Sequence, residues 1–190
     1  MKTIVNLVGV LSLSIAVSAQ TIDEVSVGAM YSNQTFYELS TGDVMSSGHT
    51  DWHIGFGIGG VQDAGIFINE GVSLTGNATR LYTAPTNDFN DLIDPNSLGM
   101  TYTNKEESWT IGAFNEARDI ANPFDYGWGV YDPSSNKVLG NKIFVIEFPN
   151  GDYKKIKIDS LDNGMYHFTY ADLDGGSMQH KMVNKGNHSG

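Results

Sequence analysis

The chain has no cysteine among its 190 residues. Disulfide bonds, iron–sulfur clusters, thiolate zinc sites and cysteine nucleophiles are therefore excluded. No thiol follows the N-terminal segment, so a lipid cannot be attached to a cysteine there. An exported domain of this composition has to be held together by its hydrophobic core, and a chain of this length can bury one.

Long hydrophobic runs are also lacking, apart from one at the N-terminus. Lys2 precedes this apolar stretch and the small residues Val17-Ser18-Ala19 follow it, which is the pattern of a cleaved signal peptide. The stretch is too short and too interrupted by polar residues for a good membrane span; a buried N-terminal strand or helix is the alternative. We predict a signal peptide over residues 1–19, cleavage near Ala19, no transmembrane segment, and a secreted, cell-surface or periplasmic protein.

Positive charge is scarce. Eleven Lys and Arg face 22 Asp and Glu, giving a formal net charge of −11, and loss of Lys2 with the signal peptide makes it −11 − 1 = −12. A chain this acidic repels phosphate backbones and anionic lipid surfaces. The composition therefore predicts no nucleic-acid partner.

Catalytic motifs are missing as well. Gly71-Val72-Ser73-Leu74-Thr75 lacks the final glycine of a nucleophile elbow, and no zinc-protease or phosphate-loop motif occurs. His49 and His53 are four residues apart, but on an extended strand that spacing covers about 13 Å, too far for one zinc ion. We predict that the protein is not an enzyme and has no metal site of its own.

Short strands and turn residues make up most of what is present. Glycine is abundant at 22 residues, aromatic residues reach 11%, and short apolar segments alternate with polar positions, which favours strands over helices. The clearest part is a three-strand meander over residues 143–170, in which Asp162-Asn163-Gly164 is a strong hairpin turn. We predict an all-β fold, a single antiparallel β-sheet domain with long connecting loops.

Two segments interrupt this regular pattern. Residues 84–108 are rich in Asn, Asp and Pro, and we predict a long, mobile connection there, with room for a short helix near residues 88–93. Residues 172–190 are polar and glycine-rich and predict a loose tail or linker. The domain itself is expected over residues 20–171.

Three blocks of the sequence resemble the HmuY family of exported Bacteroidetes proteins. The first joins Phe36-Tyr37-Glu38-Leu39-Ser40-Thr41-Gly42 to Thr50-Asp51-Trp52-His53-Ile54-Gly55-Phe56, and the second is Ile66-Phe67-Ile68-Asn69-Glu70-Gly71. The third combines Trp128-Gly129-Val130-Tyr131 with the strands from Phe144 to Ile158. The resemblance implies an all-β fold of HmuY type and, as in characterised members, haem captured between two axial His or Met side chains.

The sequence departs from the family pattern where the ligands would be. His53 stands where the family usually has Asp, and between residues 54 and 143 the chain has no His and a single Met, Met100. The thioether of Met100 is a competent haem ligand, and Met165 and His167 share the predicted outward face of one strand. These three residues are our haem-ligand candidates, although each also fits an ordinary packing or solvent-exposed role.

Aromatic residues near the third block are candidates for a ligand pocket. Tyr126, Trp128 and Tyr131 could line one, or could equally be core residues. The resemblance thus implies a haemophore-like protein of iron acquisition, with haem as cofactor and haem or a haem-carrying protein as partner. The alternative is a non-haem interaction module of the same fold that binds a surface protein or glycan.

Overall fold

The structure, a computed structural model, describes residues 24–29, 32–60, 63–71, 78–105, 108 and 110–187. The predicted signal peptide lies outside the described residues. The described part contains strands and short 3-10 helices but no α-helix, and none of its helices is long and apolar enough to cross a membrane. The predicted all-β class is confirmed.

The described residues form twelve strands, all paired antiparallel. They are β1 Asn33–Tyr37, β2 Val44–Gly48, β3 Ile54–Phe56, β4 Ile66–Ile68, β5 Arg80–Thr83, β6 Thr101–Tyr102, β7 Gly129–Asp132, β8 Lys137–Gly140, β9 Phe144–Glu147, β10 Tyr153–Asp162, β11 Met165–Ala171 and β12 Gln179–Asn184. The 3-10 helices are Pro95–Ser97, Ala113–Asn115 and Lys185–Asn187.

Eight strands form the main sheet. Six of them follow one another in the order β12-β11-β10-β9-β5-β6, and β7 and β8 lie off this path. The long strand β10 has two partners on one side: its first half pairs with β9, and its second half pairs with β8, which in turn pairs with β7. Two separate hairpins, β1–β2 and β3–β4, complete the described fold. The predicted meander is confirmed as β9, β10 and β11.

The turn between β10 and β11 follows from its sequence. Asn163 and Gly164 both have positive φ, 48° and 77°, as a two-residue hairpin turn requires. Alternation then places Ile156, Ile158 and Tyr166 on the inner face of the sheet, where each is at most 1% exposed. They pack with the β3–β4 hairpin and with Trp128 in the main hydrophobic core.

The outer edge of β4 is closed by two asparagine side chains instead of a strand. The Asn115 amide accepts from the Ile66 N–H at 2.9 Å and donates to the Ala64 carbonyl at 3.0 Å. The Asn104 amide accepts from the Ile68 N–H at 3.1 Å and donates to the Ile68 carbonyl at 2.7 Å. Each amide has an acceptor and two donors side by side, so it can replace the backbone of a missing neighbour.

The described part of the connection over residues 84–108 contacts the sheet through an apolar cluster that includes Ala84, Phe89, Ile93 and Leu98. Ile93 is buried in this cluster with Val145 on the outer face, and its N–H donates to the Leu173 carbonyl at 3.1 Å. The fully buried Lys155 amine donates to the Asp91 carbonyl at 2.8 Å. The short helix considered near residues 88–93 is not formed; a 3-10 helix follows at Pro95–Ser97, capped by Asp94.

The prediction of a loose tail over residues 172–190 was wrong for most of that segment. β12 pairs with β11 along six residues, and buried Lys185 donates to the carbonyls of Gly60 and Asp63. Five of the six β12 residues are exposed. The strand is held at the edge of the sheet by its backbone hydrogen bonds to β11 and does not need buried side chains. Such a strand lacks the apolar alternation by which strands are identified from sequence.

Replacing Asn115 by Ala tests the asparagine-closed edge. The change leaves the Ile66 N–H and the Ala64 carbonyl without this amide, and also removes its bonds to Gly112 N–H and Tyr126 carbonyl. We expect the free energy of unfolding, measured by urea denaturation, to fall by about 2–4 kcal/mol.

The matched control is Asn96→Ala. Asn96 is exposed and its amide bonds only to Asp94 within one turn, so its loss should change stability by less than about 0.5 kcal/mol. Equal losses in the two variants would show that the Asn115 amide contributes nothing specific to β4.

A second stability prediction concerns Glu116, which ties down the segment after β6. Its carboxylate accepts from the Thr103 N–H at 2.6 Å and the Lys105 amine at 2.9 Å. Burial alone raises the pKa of Glu116, but the bonds from Lys105 and Thr103 outweigh it and hold the pKa below the ordinary 4.5. This stabilisation is complete above pH 4.5 and is lost as the pH falls through the lower folded-state pKa.

Glu116→Gln should therefore be less stable than the parent protein at pH 7, by about 1 kcal/mol or less because the ion pair is partly exposed. The difference should shrink as the pH falls below the folded-state pKa of Glu116. Urea denaturation across this pH range measures it, with exposed Glu24→Gln as the control. A difference that stays constant across the range would contradict the assigned role of the Glu116 charge.

Candidate functional site

A groove of about 430 Å³ runs between the β3–β4 hairpin and the inner face of the main sheet. Its walls are mainly apolar and aromatic, formed by Trp52, Phe56, Ile146, Phe148, Phe168 and Tyr170. A volume and lining of this kind are typical of a small-molecule site. We refer to it as the groove.

The turn before β3 is fixed in place by Asn69, which follows β4. The Asn69 side-chain amide donates to the carbonyls of His49 and Trp52, the latter at 2.9 Å, and its N–H donates to the His53 carbonyl at 3.0 Å. The Asp51 carboxylate closes the turn by accepting from Gly48 N–H at 2.7 Å. The backbone of residues 49–53 is thereby held against β4, and the side chains of Trp52 and His53 line the groove.

Three of the described residues that line the groove, Asp51, His53 and Tyr170, carry groups that can ligate a metal, and His53 supplies the imidazole. It is exposed, and its ring centroid lies 4.6 Å from that of Phe148, with the planes tilted by 55°. An imidazole supported on an aromatic ring and open to solvent can bind iron through a ring nitrogen. No cluster of three or more His, Asp or Glu arranged for a metal ion occurs within the described residues.

Lys154 brings positive charge to the groove. Its amine forms an ion pair with Asp172, and this hydrogen bond lowers the pKa of the Asp172 carboxyl below its ordinary value. Both partners are partly exposed, so the ammonium is available to an anionic group that enters the groove.

A second cavity of about 300 Å³ adjoins the groove and shares Trp52, His53 and Phe148 with it. We call it the side cavity. Two buried polar atoms in its lining, His49 Nδ1 and Thr79 Oγ1, have no hydrogen-bond partner in the structure. An unpaired buried polar atom costs about 1–3 kcal/mol of folding free energy. Each of these two atoms carries that cost.

Met100 lies far from the other two predicted ligands. It is 84% exposed and directly precedes β6, whereas Met165 and His167 lie on β11. Four strand spacings separate β6 from β11 in the sheet, which amounts to about 19 Å. Met100 and either β11 residue are thus not positioned to ligate one iron.

Met165 and His167 do share a face, as the alternation predicts. That face is opposite to the one on which Tyr166 and Phe168 join the core, and it is opposite to the groove. Met182 of β12 pairs with His167 and is 67% exposed. Neither candidate lines any of the cavities described above.

The three aromatic candidates do not act together. Tyr126 and Tyr131 line a separate cavity of about 330 Å³ with Leu161, but Trp128 is fully buried in the core. Its indole N–H donates to the Ala64 carbonyl at 3.0 Å. The pocket role considered for Trp128 is therefore corrected to a core role.

Sequence reasoning missed the groove because its walls come from three distant segments. Residues 51–56, 146–156 and 168–170 meet only after the hairpin folds onto the sheet. One feature of the sequence could have indicated the groove. His53 stands where the family usually has Asp, and it lines the groove.

One of the comparisons with known proteins found a match. The family model described as HmuY protein matches residues 30–174, from just before β1 to just after β11. No curated protein and no solved structure matches the chain. The match spans most of the sequence and the groove, and the chain therefore belongs to the HmuY family.

Proposed function

We propose that this protein binds haem or a related tetrapyrrole outside the cytoplasm, in the manner of a haemophore. The observation that carries the proposal is the HmuY family match over residues 30–174. Haem binding without catalysis is also consistent with the lack of catalytic motifs in the sequence. The groove is the part of the described structure whose chemistry suits such a ligand.

The residues of the groove fit haem in three respects. The faces of Phe148, Phe168 and Tyr170 provide apolar contact for a flat macrocycle. The His53 imidazole would hold the haem iron through a ring nitrogen, and the Lys154 ammonium, which is ion-paired with Asp172, would offer positive charge to propionate groups. Haem would supply the iron, and these side chains would hold and orient it.

His53 is the ligand candidate we favour over those predicted from sequence. Met165 and His167 lie on the opposite face of the sheet, so they cannot reach a ligand in the groove. Met100 is exposed at the edge strand β6 and remains a competing candidate, because a thioether also ligates haem iron.

Titration with haem, followed at the Soret band, tests the proposal. We expect a saturable spectral change in the parent protein under oxidising or reducing conditions. His53→Leu removes the ring nitrogens but keeps apolar bulk, and it should shift the band and weaken binding by about tenfold or more.

The matched control is Met100→Leu, which removes a thioether at similar volume. It should leave both band and affinity unchanged, and circular dichroism should show that both variants keep the β fold. A parent protein with no saturable change in either redox state would refute haem binding. A spectrum altered by Met100→Leu and not by His53→Leu would place the ligand site at β6 instead of the groove.

A further inference from the structure

We propose that the side cavity is a separate binding site for a neutral sugar ring, such as the terminal unit of a glycan. The inference does not depend on haem binding. It is carried by the unpaired polar atoms of His49 and Thr79, by the aromatic wall beside them, and by the size and charge of the cavity.

The side chains that carry the two unpaired atoms are buried, and their backbones are held in place. His49 is 7% exposed and Thr79 is 2% exposed. Their backbones are both bound to Asn69: its amide donates to the His49 carbonyl, and its own carbonyl accepts from the Thr79 N–H at 2.7 Å. A ligand hydroxyl can donate and accept at once, which suits an imidazole nitrogen and a threonine hydroxyl together.

Two other polar side chains of the cavity, Asn69 and Asn150, are already engaged. The Asn69 amide donates to two carbonyls and accepts from Gly71 N–H at 3.0 Å, so it has little capacity left for a ligand. The Asn150 amide bonds to Asp152 in the β9–β10 turn. The buried recognition groups are therefore His49 and Thr79, and the exposed side chains of Thr50 and His53 add polar atoms to the lining.

The remaining surroundings define the ligand class. Trp52 and Phe148 present aromatic surface, against which the C–H face of a pyranose ring stacks. The described lining residues include no Asp, Glu, Lys or Arg, so a neutral ligand is favoured over an anion or a cation. At about 300 Å³ the cavity is at the lower limit for ligand sites, which suits one sugar ring and not a long chain.

A matched pair of variants separates ligand binding from stability. Thr79 directly precedes β5 and Thr83 is its last residue, and each carries a buried hydroxyl without a partner. Only Thr79 lines the side cavity. Thr79→Val and Thr83→Val each replace an unsatisfied hydroxyl by a methyl group of equal size, so neither variant should lose stability.

The experiment titrates the full chain with D-glucose, D-galactose, D-mannose, N-acetyl-D-glucosamine and L-fucose. Binding is detected by saturation-transfer NMR and quantified by calorimetry. We expect at least one sugar to bind saturably, with a Kd in the millimolar range typical of a ligand with few atoms. Thr79→Val should weaken that binding by about tenfold or more, and Thr83→Val should leave it unchanged.

Three results would overturn the proposal. The first is no saturable binding of any of the five sugars. The second is equal weakening by both variants, which would place the effect outside the side cavity. The third is binding of a charged analogue, such as D-glucuronate, more tightly than its neutral parent D-glucose.

Discussion

Among the described residues, the short strand β4 has a strand partner on one side only, and the shape of the groove depends on how the backbone on its other side is hydrogen-bonded. Buried N–H and C=O groups left unpaired there would cost more than the hairpin gains by pairing. Asn115 and Asn104 supply the missing donors and acceptors. The backbone at Gly112 also has to lie close to β4, since a Cβ on Gly112 would be 2.0 Å from the Ile66 carbonyl oxygen.

Once β4 is fixed, the rest of the site follows from it. The hairpin lies over the inner face of the sheet and forms one wall of the groove, and Asn69 at the end of β4 holds the turn that carries His49 and His53. Neutral amides are well suited to this task because they donate and accept without burying a charge. The backbone around the groove is thus held by hydrogen bonds from asparagine side chains.

Local patterns explain which parts of the fold could be predicted. The β10–β11 hairpin is specified by alternation and by the Asn163-Gly164 turn, both within one stretch of sequence. The edge strand β12 has polar residues, and its identity comes from pairing with β11, which no local pattern records. The alternation of β10 likewise predicts that Lys155 is a surface residue. Its amine is instead buried and donates to the Asp91 carbonyl, 64 residues away in sequence.

The candidate site was the least predictable part for the same reason. Met100, Met165 and His167 are ligand candidates by residue type alone, and strand order separates the first from the others. The separation of about 13 Å expected between His49 and His53 holds for an extended strand. The chain turns there instead, so both imidazoles line the side cavity. The position of His53 also differs from that of a residue on an unsupported loop. The backbone of the turn that carries it is hydrogen-bonded to Asn69 at the end of β4, so the hairpin holds the chain at this point.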